Sequence, residues 1–402
     1  MSRTETSQFA ASPVFSRRKR VLFKLATIVL LALFAEASLQ VFYRLSVGRW
    51  LWEWWAIPIF EADPVRVYRV KPNLNYVHKT REFTATYCTD QNGMRTICGQ
   101  PGPTVAKPDG TFRILVLGPS FAFGWGVNYE DAYIYRMAQS LRVPGKRLEL
   151  INLGTPSQSP PYQVQWLKAA GYRYEPDLII QTVYGDIQDL DVGETLPANK
   201  PGVRNGYLYP SDKMTWSLWV RRVRAYSALL FYGWHVYDAL FRPRIAEGEG
   251  KEFYQPSGPA SATGENELEI YKHYVDYVGR AVTNRHEIAF MFMPVSHVVR
   301  PADITRVAHH GGVGSSFEIR RRAAAFSGLA QSNHIHFINP TPALVENDQK
   351  TRMYNLYDIH LTVAGNKVVA DYSTPIVQKW ILEGPGGRQG ATEATTGGND
   401  QK

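Results

Sequence analysis

Ser120 ends the run FRILVLGPS, which continues as FAFGWGV to Val127. A serine hydroxyl is a weak nucleophile at neutral pH and needs a base within hydrogen-bonding reach. Far down the chain, in YDIHLTVAG, Asp358 and His360 stand two residues apart. His360 can take the serine proton, and Asp358 can hold the ring in the tautomer that does so. Attack on an acyl carbon also needs donors for the developing oxyanion, and the backbone N–H groups of Ser120 and of Gly154, in NLGTPSQS, are candidates. Singly, each residue has a plain structural reading: a helix N-cap for Ser120 or Asp358, a turn for Gly154, a surface loop for His360. Their order and their places at strand ends favour chemistry.

The elements that must position them alternate. FRILVLG is a continuous apolar run ending in a turn, as buried parallel strands are. EDAYIYRMAQSL has helical spacing; LELINLG is a second short strand; SPPYQVQWLKAAGYRY is a helix; PDLIIQTVYGD is a third strand. This predicts a parallel sheet with helices on both faces, and such sheets gather their sites at the carboxyl ends of strands. The alternation breaks after Asp191, and residues 192–264, with an aromatic helical stretch, read as an insertion beside the sheet. It returns with a helix over 267–286, strand EIAFMFMPV, a helix around 318–333 and strand IHFINP. The last element, 362–382, reads as a helix broken near Pro375. Residues 383–402, rich in glycine, read as a disordered tail.

The net charge is +9, but residues 1–24 hold six bases against one acid. What remains is too dilute for a phosphate-tracking surface, so no nucleic-acid partner is expected. A basic tail, 1–20, leads into an apolar segment, 21–44, long enough to cross a bilayer. Basic residues before it place the N-terminus in the cytoplasm and the rest of the chain outside. Glu36 and Gln40 sit awkwardly toward its far end. The competing reading is a signal peptide cut after Ala37, since Ala35-Glu36-Ala37 fits an A-x-A site. Residues 45–110 read as a membrane-proximal strand-and-turn lead-in with a turn at Asn92-Gly93. In an exported chain its two cysteines, Cys88 and Cys98, suit a disulfide, with unpaired thiols as the alternative. The adjacent pair His309-His310 lacks a partner ligand, so no metal and no cofactor are expected.

Together these blocks resemble the SGNH (GDSL-like) hydrolase superfamily, in its bacterial membrane-anchored branch, over roughly Tyr68 to Leu382. The resemblance implies a three-layer α/β/α, flavodoxin-like fold over 111–382, behind a single N-terminal transmembrane helix. It implies Ser120 as nucleophile, His360 as base, Asp358 as its acid partner, and Ser120, Gly154 and Gly185 at the oxyanion positions. Two departures stand out. The family's first block has Asp where this chain has Pro119, and its third block has an Asn donor where Gly185 has no side chain. The implied activity is a serine esterase acting on O-acyl esters, on a small ester or on O-acylated cell-surface carbohydrate, beside polysaccharide-synthesis partners. A polysaccharide O-acyltransferase and a catalytically impaired glycan- or partner-binding protein are the alternatives. The implied place is the inner membrane, with the main domain periplasmic in a Gram-negative cell. The acidic run Asp186, Asp189 and Asp191 reads as a solvated loop.

Overall fold

The structure, a computed structural model, describes residues 16–47, 50–51, 57–80, 82–158, 160–184, 202–209, 226–241, 272–278, 287–303, 316–356 and 358–383, with 223 and 269. Gly185 and the acidic run after it, most of 192–264, the His309–Gly312 stretch and the tail after Glu383 lie outside them. The chain divides into two compact units, Met1–Trp54 with Thr215–Arg242, and Trp55–Met214 with Pro243–Lys402.

In the first unit, helix α1 (Arg17–Val47) is long and apolar enough over Arg17–Ser46 to cross a membrane. A second helix, α5 (Ala228–Phe241), packs against it through Tyr43, Ala228 and Phe231.

The second unit begins with two small antiparallel sheets. Strands β1 (Phe60–Asp63) and β2 (Val67–Val70) pair with each other, and β3 (Asn75–Lys79), β4 (Thr84–Thr89) and β5 (Arg95–Thr96) form a meander. Cys88 on β4 is bonded to Cys98, just past β5. The central sheet follows: β6 (Thr111–Leu117), β7 (Arg147–Asn152), β8 (Leu178–Tyr184), β11 (Glu287–Met293) and β12 (His336–Ile338), with spatial order β12-β11-β8-β6-β7 and every pair parallel. Strands β9 (Gly202–Arg204) and β10 (Tyr207–Tyr209) pair apart from it.

The apolar runs are continuous because both faces of this sheet are covered. Leu115, Leu117, Ile179, Phe290 and Phe292 face one layer, made of α4 (Pro160–Ala169), the helical stretch 272–278 and α7 (Ser316–Ser332). Ile114, Val116, Ile180, Ala289 and Met291 face the other, made of α3 (Tyr133–Ser140), α8 (Thr341–Asp348) and α9 (Val363–Glu383). The short α2 (Ser120–Phe123) and α6 (Ser296–Val299) follow β6 and β11.

A charged residue interrupts the core of the central sheet. Arg113 on β6 is fully buried. Its guanidinium donates to Glu149 Oε2 at 2.7 Å and to the carbonyls of Thr104, Val105, Ala106 and Tyr174 at 2.7–3.1 Å. All five of its N–H groups therefore have acceptors.

The expected break at Pro375 does not occur: α9 runs unbroken through it. A proline costs one backbone hydrogen bond in a helix interior. Here Val369, Ala370, Ser373 and Val377 are buried along one face on both sides of it, and that packing holds the helix together.

Candidate active site

In sheet order the chain runs from β6 outward to β7, then crosses back to β8 on the other side. The crevice above β6 and β8 is thus the switch point where open α/β sheets bind ligands. Ser120 opens α2, directly after β6, and Tyr184 ends β8.

Pro119 occupies the N-cap of α2 with φ −78°, which its ring already favours. The absent proline N–H costs the turn nothing, and among the described residues the Ser120 N–H has no acceptor. Gly124 ends the turn in the left-handed region, φ +80°, where its lack of Cβ is needed. The chain then doubles back, so that the Trp125 N–H donates to Ser120 O at 3.0 Å.

Gly154, after β7, lies against this turn. A Cβ there would come within 2.3 Å of Phe123 N, so only glycine fits. Its N–H donates to Asn152 Oδ1 at 2.8 Å, and Asn152 Nδ2 donates to Ala122 O at 2.8 Å. Gly154 therefore supports the serine turn by close approach, while its amide is engaged by Asn152. Gly185 lies outside the described residues.

His360 Nε2 stands 2.6 Å from Ser120 Oγ, although 240 residues separate them. His360 Nδ1 bonds to Asp358 Oδ1, which also accepts the His360 N–H at 2.9 Å. Asp358 Oδ2 accepts the Trp125 indole N–H at 3.1 Å. Burial raises the pKa of the Asp358 carboxyl, but the adjacent His360, its two hydrogen bonds and the Trp125 N–H outweigh that and hold it well below the usual carboxylate range. The loop is anchored where α9 starts: the Thr362 N–H donates to Met353 O at 2.8 Å and the Asn355 N–H to His360 O at 2.9 Å.

A depressed folded pKa stabilises above the unfolded value, near 3.9, and that stability is lost as pH falls through the folded value. The stability advantage of the natural chain over Asp358→Asn, measured by urea unfolding, should therefore shrink below about pH 4. A difference that stayed constant down to about pH 2 would contradict the arrangement.

Several residues at the site have no signal in its motifs. Glu82, between β3 and β4, accepts the Asp358 N–H at 2.9 Å and also the Leu356 N–H, so one carboxylate holds both ends of the loop that carries Asp358. Phe121 lies 4.9 Å from the His360 ring and stacks on Tyr184 at 4.8 Å. Arg95, buried between Tyr87 and Phe123, donates to Phe123 O at 3.2 Å and to Thr86 O at 3.0 Å. Burial lowers its pKa to about 10 and outweighs the opposing pull of Tyr87, Tyr129 and Glu130.

The strand order, a serine turn at the switch point and an Asp-x-His loop before the last helix now stand together. The fold is a parallel α/β sheet covered on both faces, with Ser120, His360 and Asp358 joined in one hydrogen-bonded row at its switch point. No family model matches the sequence, and no curated protein matches it. Similar solved structures include a lipolytic protein of the G-D-S-L family from Veillonella parvula, at 11% identity over 67% of this chain and 100% of that one, with a TM-score of 0.38. An acetyl xylan esterase matches at 13% identity over 66% and 100%, with a TM-score of 0.37. The aryl esterase of M. smegmatis matches at 14% identity over 67% and 99%, with a TM-score of 0.35. At such distances these likenesses carry no argument about this chain.

Proposed function

We propose that this chain is an SGNH-like, membrane-anchored serine esterase acting on O-acyl esters. The observation that supports it most is the 2.6 Å approach of His360 Nε2 to Ser120 Oγ, with Asp358 on the other ring nitrogen. Ser120 Oγ attacks the acyl carbon as its proton passes to His360 Nε2. The ester C–O bond then breaks, the departing alcohol takes that proton, and an acyl-serine remains. Water, deprotonated by His360, releases the acid and restores Ser120. The Ser120 N–H is the oxyanion donor that the described residues leave without an acceptor. The substrate class is a small ester or an O-acylated cell-surface carbohydrate; a sugar hydroxyl in place of water would turn the same site into an O-acyltransferase. Helix α1 holds the chain in the inner membrane, with Arg17–Arg20 on the cytoplasmic side.

The engaged Gly154 amide and the side-chain-free Gly185 favour a second reading, a weakened enzyme that binds acylated glycan. Loss of one oxyanion donor costs about 10²–10³ in rate. A fluorophosphonate probe with intact-mass detection on the full chain in detergent tests the first reading. One adduct is expected, lost in Ser120→Ala; no adduct on a folded natural chain would sink the esterase.

Glu82 is a positioning residue in this scheme. Glu82→Gln leaves one oxygen where two N–H groups need acceptors and turns an NH₂ toward the other. Loss of loop geometry should lower kcat by about 10²-fold, with KM nearly unchanged. A fall in urea stability at intact kcat would assign Glu82 a purely structural role.

A further inference from the structure

Helix α1 carries one acid in its apolar stretch, and that acid is fully used. Glu36 accepts the Ala228 N–H at 2.7 Å, the Leu229 N–H at 3.0 Å and the Ser227 hydroxyl at 2.9 Å, all at the start of α5. Gln40, one turn on, donates to Glu36 at 2.8 Å and to Tyr226 O at 3.2 Å. From there Tyr43 meets Phe231 and Phe42 meets Tyr232, at ring distances of 5.6 and 6.0 Å.

The depth of these contacts matters. Glu36 lies fifteen residues past Val21, where the apolar stretch begins, or about 22 Å along the helix at 1.5 Å per residue. A hydrocarbon core is about 30 Å thick, so Glu36 is still inside it. A carboxylate there needs a partner, and so do the first amides of a helix that starts there. Each satisfies the other. In water neither would need it, because solvent and the Ser227 hydroxyl could cap α5.

The exposed surface of α5 agrees with this. Leu230, Val236, Tyr237 and Leu240 are 49–70% exposed, like the lipid-facing residues of α1. Fourteen residues reach only about 21 Å, too short to cross a bilayer. An exposed apolar helix of that length suits a re-entrant or interfacial segment.

From these observations we propose that α5 lies in the bilayer leaflet away from Arg17–Arg20, latched to α1 by Glu36. The proposal rests on the reading of α1 as a retained anchor, and it bears on that reading: cutting after Ala37 would remove Glu36 from the α5 start.

The test uses the full chain in phosphatidylethanolamine/phosphatidylglycerol vesicles. Its two cysteines are bonded to each other, so an introduced cysteine is the one free thiol for a nitroxide label. Labels at Leu230→Cys and Leu240→Cys on α5 and at Leu30→Cys on α1 are compared for collision with oxygen, which enters lipid, and with a nickel chelate, which stays in water. Oxygen should prevail at all three sites, and intact mass should retain residues 1–37. Nickel prevailing at Leu230→Cys and Leu240→Cys alone would overturn the placement of α5 and leave the anchor standing. Nickel prevailing at Leu30→Cys, or loss of residues 1–37, would overturn the anchor reading itself. Adding Glu36→Ala should abolish the oxygen excess at Leu230→Cys while Leu30→Cys keeps it; an undiminished excess at Leu230→Cys would overturn the latch.

Discussion

Ester turnover by His360→Ala should fall on the order of 10⁶-fold, and Ser120→Ala should fall as far. On the proposed esterase mechanism the pair acts as one device. Without the imidazole 2.6 Å away, the Ser120 hydroxyl keeps its proton and is a poor nucleophile. Without the hydroxyl, the imidazole has nothing to activate but water. The double variant should therefore be no slower than either single one. Burst and steady-state kinetics on a chromogenic acetate ester would measure this. Singles that each lost about tenfold, with a double that lost the product of the two, would show independent residues and no shared proton. Asp358→Asn is expected to be milder, about 10⁴-fold, because the geometry survives while the tautomer is wrong.

Arg113→Met should destabilise the second unit by about 3–5 kcal/mol. That is a large part of the 5–15 kcal/mol that holds a typical domain folded. Methionine fills the volume but donates nothing. Four carbonyls, those of Thr104, Val105, Ala106 and Tyr174, would lose their donor, and Glu149 would keep only the exposed Arg147 at 3.9 Å as counter-charge. Arg113→Lys should recover little, because an ammonium carries three donors and no planar fork. Adding Glu149→Leu to Arg113→Met should restore part of the loss by removing a carboxylate that has lost its buried partner. Urea unfolding of the three variants would decide; a loss below about 1 kcal/mol for Arg113→Met would mean that segment 104–106 is bound by something else.

Much of this was legible in the sequence, for physical reasons. A strand covered on both faces is mostly apolar at successive positions, and FRILVLG, PDLIIQTVYGD and EIAFMFMPV have that pattern, with Arg113 and the pair Gln181-Thr182 as buried polar exceptions. Ser120, Asp358 and His360 announced themselves by residue type and local spacing. Glu82 did not, because its partner Asp358 is 276 residues away and the groups it binds are backbone N–H groups, which every residue has. Arg113 was hidden for a related reason: four of its five contacts are carbonyls. Gly154 was recognisable as special, but spacing shows only that a glycine is required. It does not separate an amide that meets substrate from a backbone that must come close, and here the missing Cβ clears Phe123. Glu36 looked out of place in α1 until its partners at Ser227–Leu229, 191 or more residues on, were in view. Pro375 was read by its local cost alone, without the buried face that carries α9 past it.

The lead-in meander bears on how this protein can be cut and recombined. A fragment beginning at Thr111 would contain every residue the motifs single out. It would lack Glu82, which fixes the Asp358 loop, and Arg95, which reaches over the serine turn to Phe123 O. The α/β core is therefore not an exchangeable cassette. Gene fusions that graft it behind another anchor would carry the residues the motifs single out and leave their scaffold behind, and a portable module has to begin no later than β3, which with β4 and β5 carries Glu82 and Arg95.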